Sequence, residues 1–130
     1  MKKLNALCLV VAVSMMTACR PSVIATLEAD LFEKTLAQTP DPQLVDVRTP
    51  AEFADGHLPG AIFIDIRENT FDSLIQQLDK SRPVFVYCRI GRRSLDAAKI
   101  LEKNKFTAVY NLDGGILAWK EKGKEVVISD

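Results

Sequence analysis

The sequence predicts one α/β domain, a parallel sheet with helices on both of its faces. Apolar runs at residues 43–48, 61–64, 84–87 and 106–111 have the length and the β-branched and aromatic content of strands. The segments between them carry helical spacing and helix-start signals, and strands alternating with helices argue for a parallel sheet. With 130 residues and 48% hydrophobic content, the chain has room for one such domain and one core. It contains no internal repeat and no low-complexity segment.

The elements follow in order. Met1, Lys2 and Lys3 give a positive start, and a mostly apolar stretch runs from Leu4 to Val13. That stretch is shorter than the ~20 residues a membrane-spanning helix needs, and it has the dimensions of a secretory signal. Residues 20–25 read as a tether with a few residues of edge strand. Thr26 is expected to cap a helix over 27–37, in which Leu27, Leu31 and Leu36 recur at roughly helical spacing and Pro40 and Pro42 follow the end. Residues 43–48 are a buried strand. Thr49, Pro50 and Glu52 have the form of a helix start, with a Thr cap, Pro at the first position and Glu at the third. The turn residues of 55–60 keep that helix short. After the strand at 61–64, residues 71–78 have helix-like spacing. The strand at 84–87 leads through a polar loop to a helix at 94–102. The strand at 106–111 ends in a tight turn, Asp113-Gly114-Gly115, into 116–120.

The chain is organised around its strand–loop–helix unit at 84–102. The apolar run ends on Cys88; Arg89, Ile90, Gly91, Arg92, Arg93 and Ser94 follow. In this arrangement backbone N–H groups and the positive end of a helix converge on one point. A thiol there is pushed toward thiolate, with a pKa lowered from about 8.5 to roughly 3.5–7.5. Three arginines in a short loop add to the effect and draw in anions. Cys88 therefore reads as a nucleophile working on small anions. The charged residues after it argue against its being a buried core cysteine. Sites in parallel sheets form at the C-terminal strand ends, and Asp46, Cys88 and Asp113 all fall there.

Composition excludes other classes. The 17 Lys+Arg balance the 17 Asp+Glu, and no basic stripe supports nucleic-acid binding. Neither G-x-G-x-x-G nor P-loop spacing follows Asp113-Gly114-Gly115, and one histidine with one free thiol makes a poor metal set. No cofactor and no metal is expected. His57 lies in a turn and is read as structural, and Phe53 and Trp119 as packing residues.

Five stretches in order resemble single-domain rhodaneses, which are sulfurtransferases. They are Leu44-Val45-Asp46-Val47-Arg48; Glu52-Phe53; Gly56-His57-Leu58-Pro59-Gly60-Ala61; the Cys88–Ser94 loop; and Leu112-Asp113-Gly114-Gly115 with Trp119. The resemblance implies a five-stranded parallel sheet flanked by helices. It implies that Cys88 takes sulfane sulfur from a donor and holds it as a persulfide, cradled by the backbone from Arg89 through Ser94. The Cys-Arg-x-Gly-x-Arg pattern is similar to that of members using thiosulfate. Asp46 and Arg48 match the family's Asp-x-Arg element and are expected to position the loop. Where the family often has proline after the third strand, this chain has Asp65.

Met16-Thr17-Ala18-Cys19 resembles a bacterial lipobox, which divides the chain into a signal at 1–18, a lipidated Cys19 opening a tether at 19–25, and a domain at 26–130. Cys8 then leaves with the signal, and Cys88 becomes the single free thiol. Losing Lys2 and Lys3 leaves 15 Lys+Arg against 17 Asp+Glu, a net charge of −2. Arg20, rather than Asp, after the lipidated cysteine favours the periplasmic face of the outer membrane. The expected product is a monomer that moves sulfur from thiosulfate or a similar small donor to a thiophilic acceptor. Two alternatives are a non-catalytic sulfur carrier or partner-binding module, and a cysteine phosphatase or arsenate reductase. The latter need an arginine one residue later than Arg93, where Ser94 stands.

Overall fold

A computed structural model describes residues 20–128. The signal, Cys8 and Cys19 lie outside the described residues. The elements are β1 (Ile24–Leu27), α1 (Ala29–Gln38), β2 (Gln43–Asp46), α2 (Pro50–Ala54), β3 (Ile62–Phe63), α3 (Phe71–Leu74) running into a 3₁₀ turn (Ile75–Gln77), β4 (Val84–Tyr87), α4 (Arg92–Lys103), β5 (Val109–Leu112) and α5 (Gly115–Glu121). The five strands form one sheet in the order β1-β5-β4-β2-β3, every pair parallel. The expected fold class is the observed one.

Strand alternation divides the core. Val45 and Val47 of the β2 segment and Val84, Val86 and Cys88 of the β4 segment face one side, where Ala97, Ala98 and Leu101 of α4 and Phe71 and Ile75 cover them. Leu44, Phe85, Tyr87 and Leu112 face the other side, against Phe32 of α1 and Ile116 and Trp119 of α5. Phe32 meets Phe85 and Trp119 edge-on, with ring centroids 5.4 and 6.4 Å apart. A fully buried side chain of this size contributes about 1.5–3 kcal/mol.

Several boundaries differ from the expected ones. Thr26 caps no helix; it lies in β1, which pairs with β5 from Ile24 opposite Val109 to Leu27 opposite Leu112. Pairing with a neighbouring strand overrides the local cap signal, and Glu28 caps α1 instead, accepting from the Leu31 and Asp30 amides. The strand begins at Ile24 and Ala25, where a few residues of edge strand are expected, and continues through Leu27. Thr49 and Glu52 form the capping box the sequence indicates. The helix expected over 71–78 closes after one turn and tightens to 3₁₀. α4 starts two residues earlier than expected, at Arg92. β5 starts three residues later than expected, because Phe106 turns back to donate its amide to the Leu101 carbonyl and fill the core under α4. Asp65, in the place of the family's proline, accepts the Arg67 amide at 2.8 Å and so builds its turn from a side chain.

Candidate active site

The sheet's order puts β4 in the middle, flanked by β2 and β5, so the residue after it emerges at the C-terminal edge between two helix starts. That residue is Cys88. Its Sγ accepts the Gly91 amide at 3.1 Å and the Ser94 hydroxyl at 3.3 Å. Burial pushes the Cys88 thiol up, but the Ser94 hydroxyl and the backbone N–H groups of Ser94, Gly91 and Ile90 outweigh it, and the pKa lies below its usual value. Of the backbone N–H groups expected to cradle the sulfur, those of Ile90, Gly91 and Ser94 act on it, and the first turn of α4 closes that side. The exposure expected of Cys88 is not found: the residue is only 1% exposed. The period of β4 sends its side chain toward α4, while the charged residues after it turn outward.

Two further devices hold the loop. Gly91 has φ +98°, which a side chain rarely adopts, and its carbonyl accepts the Asn111 amide at 3.4 Å. At the start of α5 the Ile116 amide donates to the Cys88 carbonyl at 2.9 Å and the Leu117 amide to the Arg89 carbonyl at 3.2 Å. This approach requires Gly115, whose φ is +60° and where a Cβ would overlap the Arg89 carbonyl. One helix N-terminus therefore addresses the sulfur, and another holds the carbonyls behind it.

The arginines divide by role. Arg93 is held by Glu52 in a two-pronged pair of 2.8 and 2.7 Å, which locks α4 to α2 across the mouth of the site. Arg93, together with the Thr49 cap, keeps the Glu52 carboxyl well below the usual carboxylate range. Arg89 and Arg92 are exposed and have no ion-pair partner among the described residues. Ile90, between Arg89 and Gly91, is 47% exposed.

Asp46 and Arg48 make no direct hydrogen bond to residues 88–94; they act on Tyr87, the residue before Cys88. Asp46 shares the sheet face of Tyr87, opposite to Cys88, since alternate residues of adjacent strands face alternate sides. Its carboxylate accepts the Arg48 guanidinium at 2.6 Å and the Tyr87 hydroxyl at 2.6 Å. Arg48 also donates to the Gly56 carbonyl at 2.7 Å, and the Tyr87 hydroxyl accepts the Leu58 amide at 3.0 Å. This buried network ties the 56–58 turn to Tyr87, the residue that leads into Cys88. Burial and the adjacent Asp46 carboxylate push the Tyr87 phenol far up, so it stays a donor. Asp113 lies at the surface and donates only its backbone amide, to Leu27.

His57 stacks on Phe53 with centroids 3.8 Å apart, and its Nδ1 lies 3.1 Å from the Phe53 carbonyl oxygen. Its backbone pairs with Val127, which fits the turn role expected of it. Trp119 packs in the core and donates its indole N–H to Glu125. Sequence reasoning missed Tyr87, Asn111 and the Gly115 contact, and it read Glu52 only as a cap. The shared parity of Asp46 and Tyr87 was the one available signal among these.

Residues 28–122 match the family model described as rhodanese-like domain. A sulfurtransferase of Allochromatium vinosum is 35% identical over 105 residues, covering 81% of this chain and 96% of that protein. A rhodanese-like domain protein of Staphylococcus aureus superposes with a TM-score of 0.69 at 29% identity, over 81% of this chain and 98% of that one. The polysulfide-sulfur transferase homodimer of Wolinella succinogenes superposes at 0.68 and 28% identity, over 82% and 80% of the two chains.

Proposed function

The chain belongs to the rhodanese-like domain family, and from that premise we propose that it is a sulfurtransferase working through a persulfide on Cys88, with thiosulfate or a similar small anion as donor. The observation that carries this reading is the Cys88 sulfur itself, a thiol favoured as thiolate inside a ring of donors. The thiolate attacks the sulfane sulfur of thiosulfate. A bond forms between Sγ and that sulfur, the bond to the sulfonate sulfur breaks, and sulfite leaves with the electron pair. The negative outer sulfur of the persulfide is then stabilised by the loop N–H groups, which act as fixed dipoles. The exposed Arg89 and Arg92 attract the donor dianion. A phosphatase reading fits less well, because Arg93 comes one residue early and is already committed to Glu52.

Loading from thiosulfate should follow the Cys88 thiolate, rising with pH through a midpoint below that of a free thiol. Ser94→Ala removes one donor to the charged sulfur. Its profile should move upward from the wild-type one. A wild-type midpoint at a free thiol's value, or an unshifted variant, would contradict this mechanism.

We also propose that the domain is exported and held at a periplasmic membrane face by lipid on Cys19, the outer membrane being favoured by Arg20. The charged start, the short apolar run and Met16–Cys19 support this. Cys19→Ala should leave the membrane fraction for the soluble periplasmic one; equal membrane retention would contradict the anchor.

A further inference from the structure

Beside the Cys88 loop, between α2 and α5, lies a cavity of about 130 Å³ lined by Arg48, Glu52, Asp55, Arg89, Leu117 and Lys120. Its floor adjoins the loop, because Ile116 and Leu117 are the residues whose amides hold the Cys88 and Arg89 carbonyls. The space has room for several waters and so suits a small polar head group. Its charges are of two kinds. Arg48 and Glu52 are consumed by Asp46 and Arg93. Arg89, Lys120 and Asp55 have no ion-pair partner among the described residues, which leaves two cations and one carboxylate facing one small space.

We propose that this cavity is the acceptor subsite and that it takes a small thiol with an α-amino-acid head. The acceptor's carboxylate lies toward Arg89 and Lys120, its ammonium toward Asp55, and its thiol toward the loop. The donor dianion carries no ammonium for Asp55 to hold, so Asp55 points to a second, zwitterionic substrate. Leu117, 37% exposed at the rim, covers the acceptor's methylene. The inference rests on the persulfide reading. In the step, the acceptor thiolate attacks the outer sulfur of the Cys88 persulfide. A new S–S bond forms on the acceptor, the bond to Sγ breaks, and its electron pair returns to Cys88 as thiolate. The acceptor leaves as its own persulfide, with no oxidant or reductant required.

The test starts from full-length protein loaded with thiosulfate, its added sulfur verified by mass. The loaded protein is discharged in single turnovers by L-cysteine, cysteamine, 3-mercaptopropionate and cyanide. Comparing each acceptor between wild type and variant cancels intrinsic reactivity. Lys120→Gln should raise the half-saturating cysteine concentration about tenfold relative to its change for cysteamine and cyanide, as expected for losing one charge-assisted contact. Asp55→Asn should do the same for cysteine relative to 3-mercaptopropionate. Equal changes for all acceptors, or none, overturn the subsite alone. A protein that never carries the added sulfur overturns the sulfurtransferase reading beneath it.

Discussion

Gly115→Ala is expected to lower sulfur transfer by about a hundredfold or more. The new Cβ would overlap the Arg89 carbonyl and lie 2.5 Å from the Cys88 carbonyl oxygen, and backbone on both sides leaves no flexible group to yield. The φ of +60° adds roughly 1–2 kcal/mol of strain for any side chain. Either α5 withdraws, releasing the Cys88 and Arg89 carbonyls, or the loop shifts and the N–H groups leave the sulfur. A displacement of about 1 Å in a positioned site costs about a hundredfold in rate. Single-turnover loading from thiosulfate checks it, with circular dichroism as the control for folding. A folded Gly115→Ala protein with the wild-type rate would show that the contact between α5 and the loop does not shape the site.

Asp46→Ala is expected to be the most destabilising single change in the domain, by about 3–5 kcal/mol, because it leaves the Arg48 charge buried and the Tyr87 hydroxyl without its acceptor. Domains of this size are stable by about 5–15 kcal/mol in all, so much of that margin would go. Urea unfolding measures it. Replacing both charges, Asp46→Leu with Arg48→Met, should recover most of the loss, since the penalty belongs to the unpaired charge. The loss should appear in the unfolding midpoint rather than in the pH profile of Cys88, because the pair lies on the opposite sheet face. A stable Asp46→Ala protein with an altered thiol pKa would show instead that the pair acts on the loop, the role that the sequence suggests.

The contrast between those two residues explains what the sequence could carry. Cys88 and its cradle were legible because strand, loop and helix are contiguous: every donor to the sulfur lies within six residues of it. The capping box at Thr49 and Glu52 was legible for the same reason. The Glu52–Arg93 clamp spans 41 residues and joins two helices, and no local spacing announces it. Gly115 looked like a turn glycine, and only the packing of α5 against the loop makes it a contact glycine. Thr26 had a sound cap signal that lost to pairing with β5, a partner more than eighty residues away. Asp46 fell at a strand end as expected, yet facing is decided by the register with β4.

The most direct test of the Cys88 persulfide is intact mass after exposure to thiosulfate. Residues 20–130 should gain one sulfur, about 32 Da, and lose it when cyanide is added with thiocyanate released, while Cys88→Ser should gain nothing. A mass gain that persists in Cys88→Ser would place the chemistry elsewhere. No gain in the wild type would contradict sulfur transfer from thiosulfate by this loop.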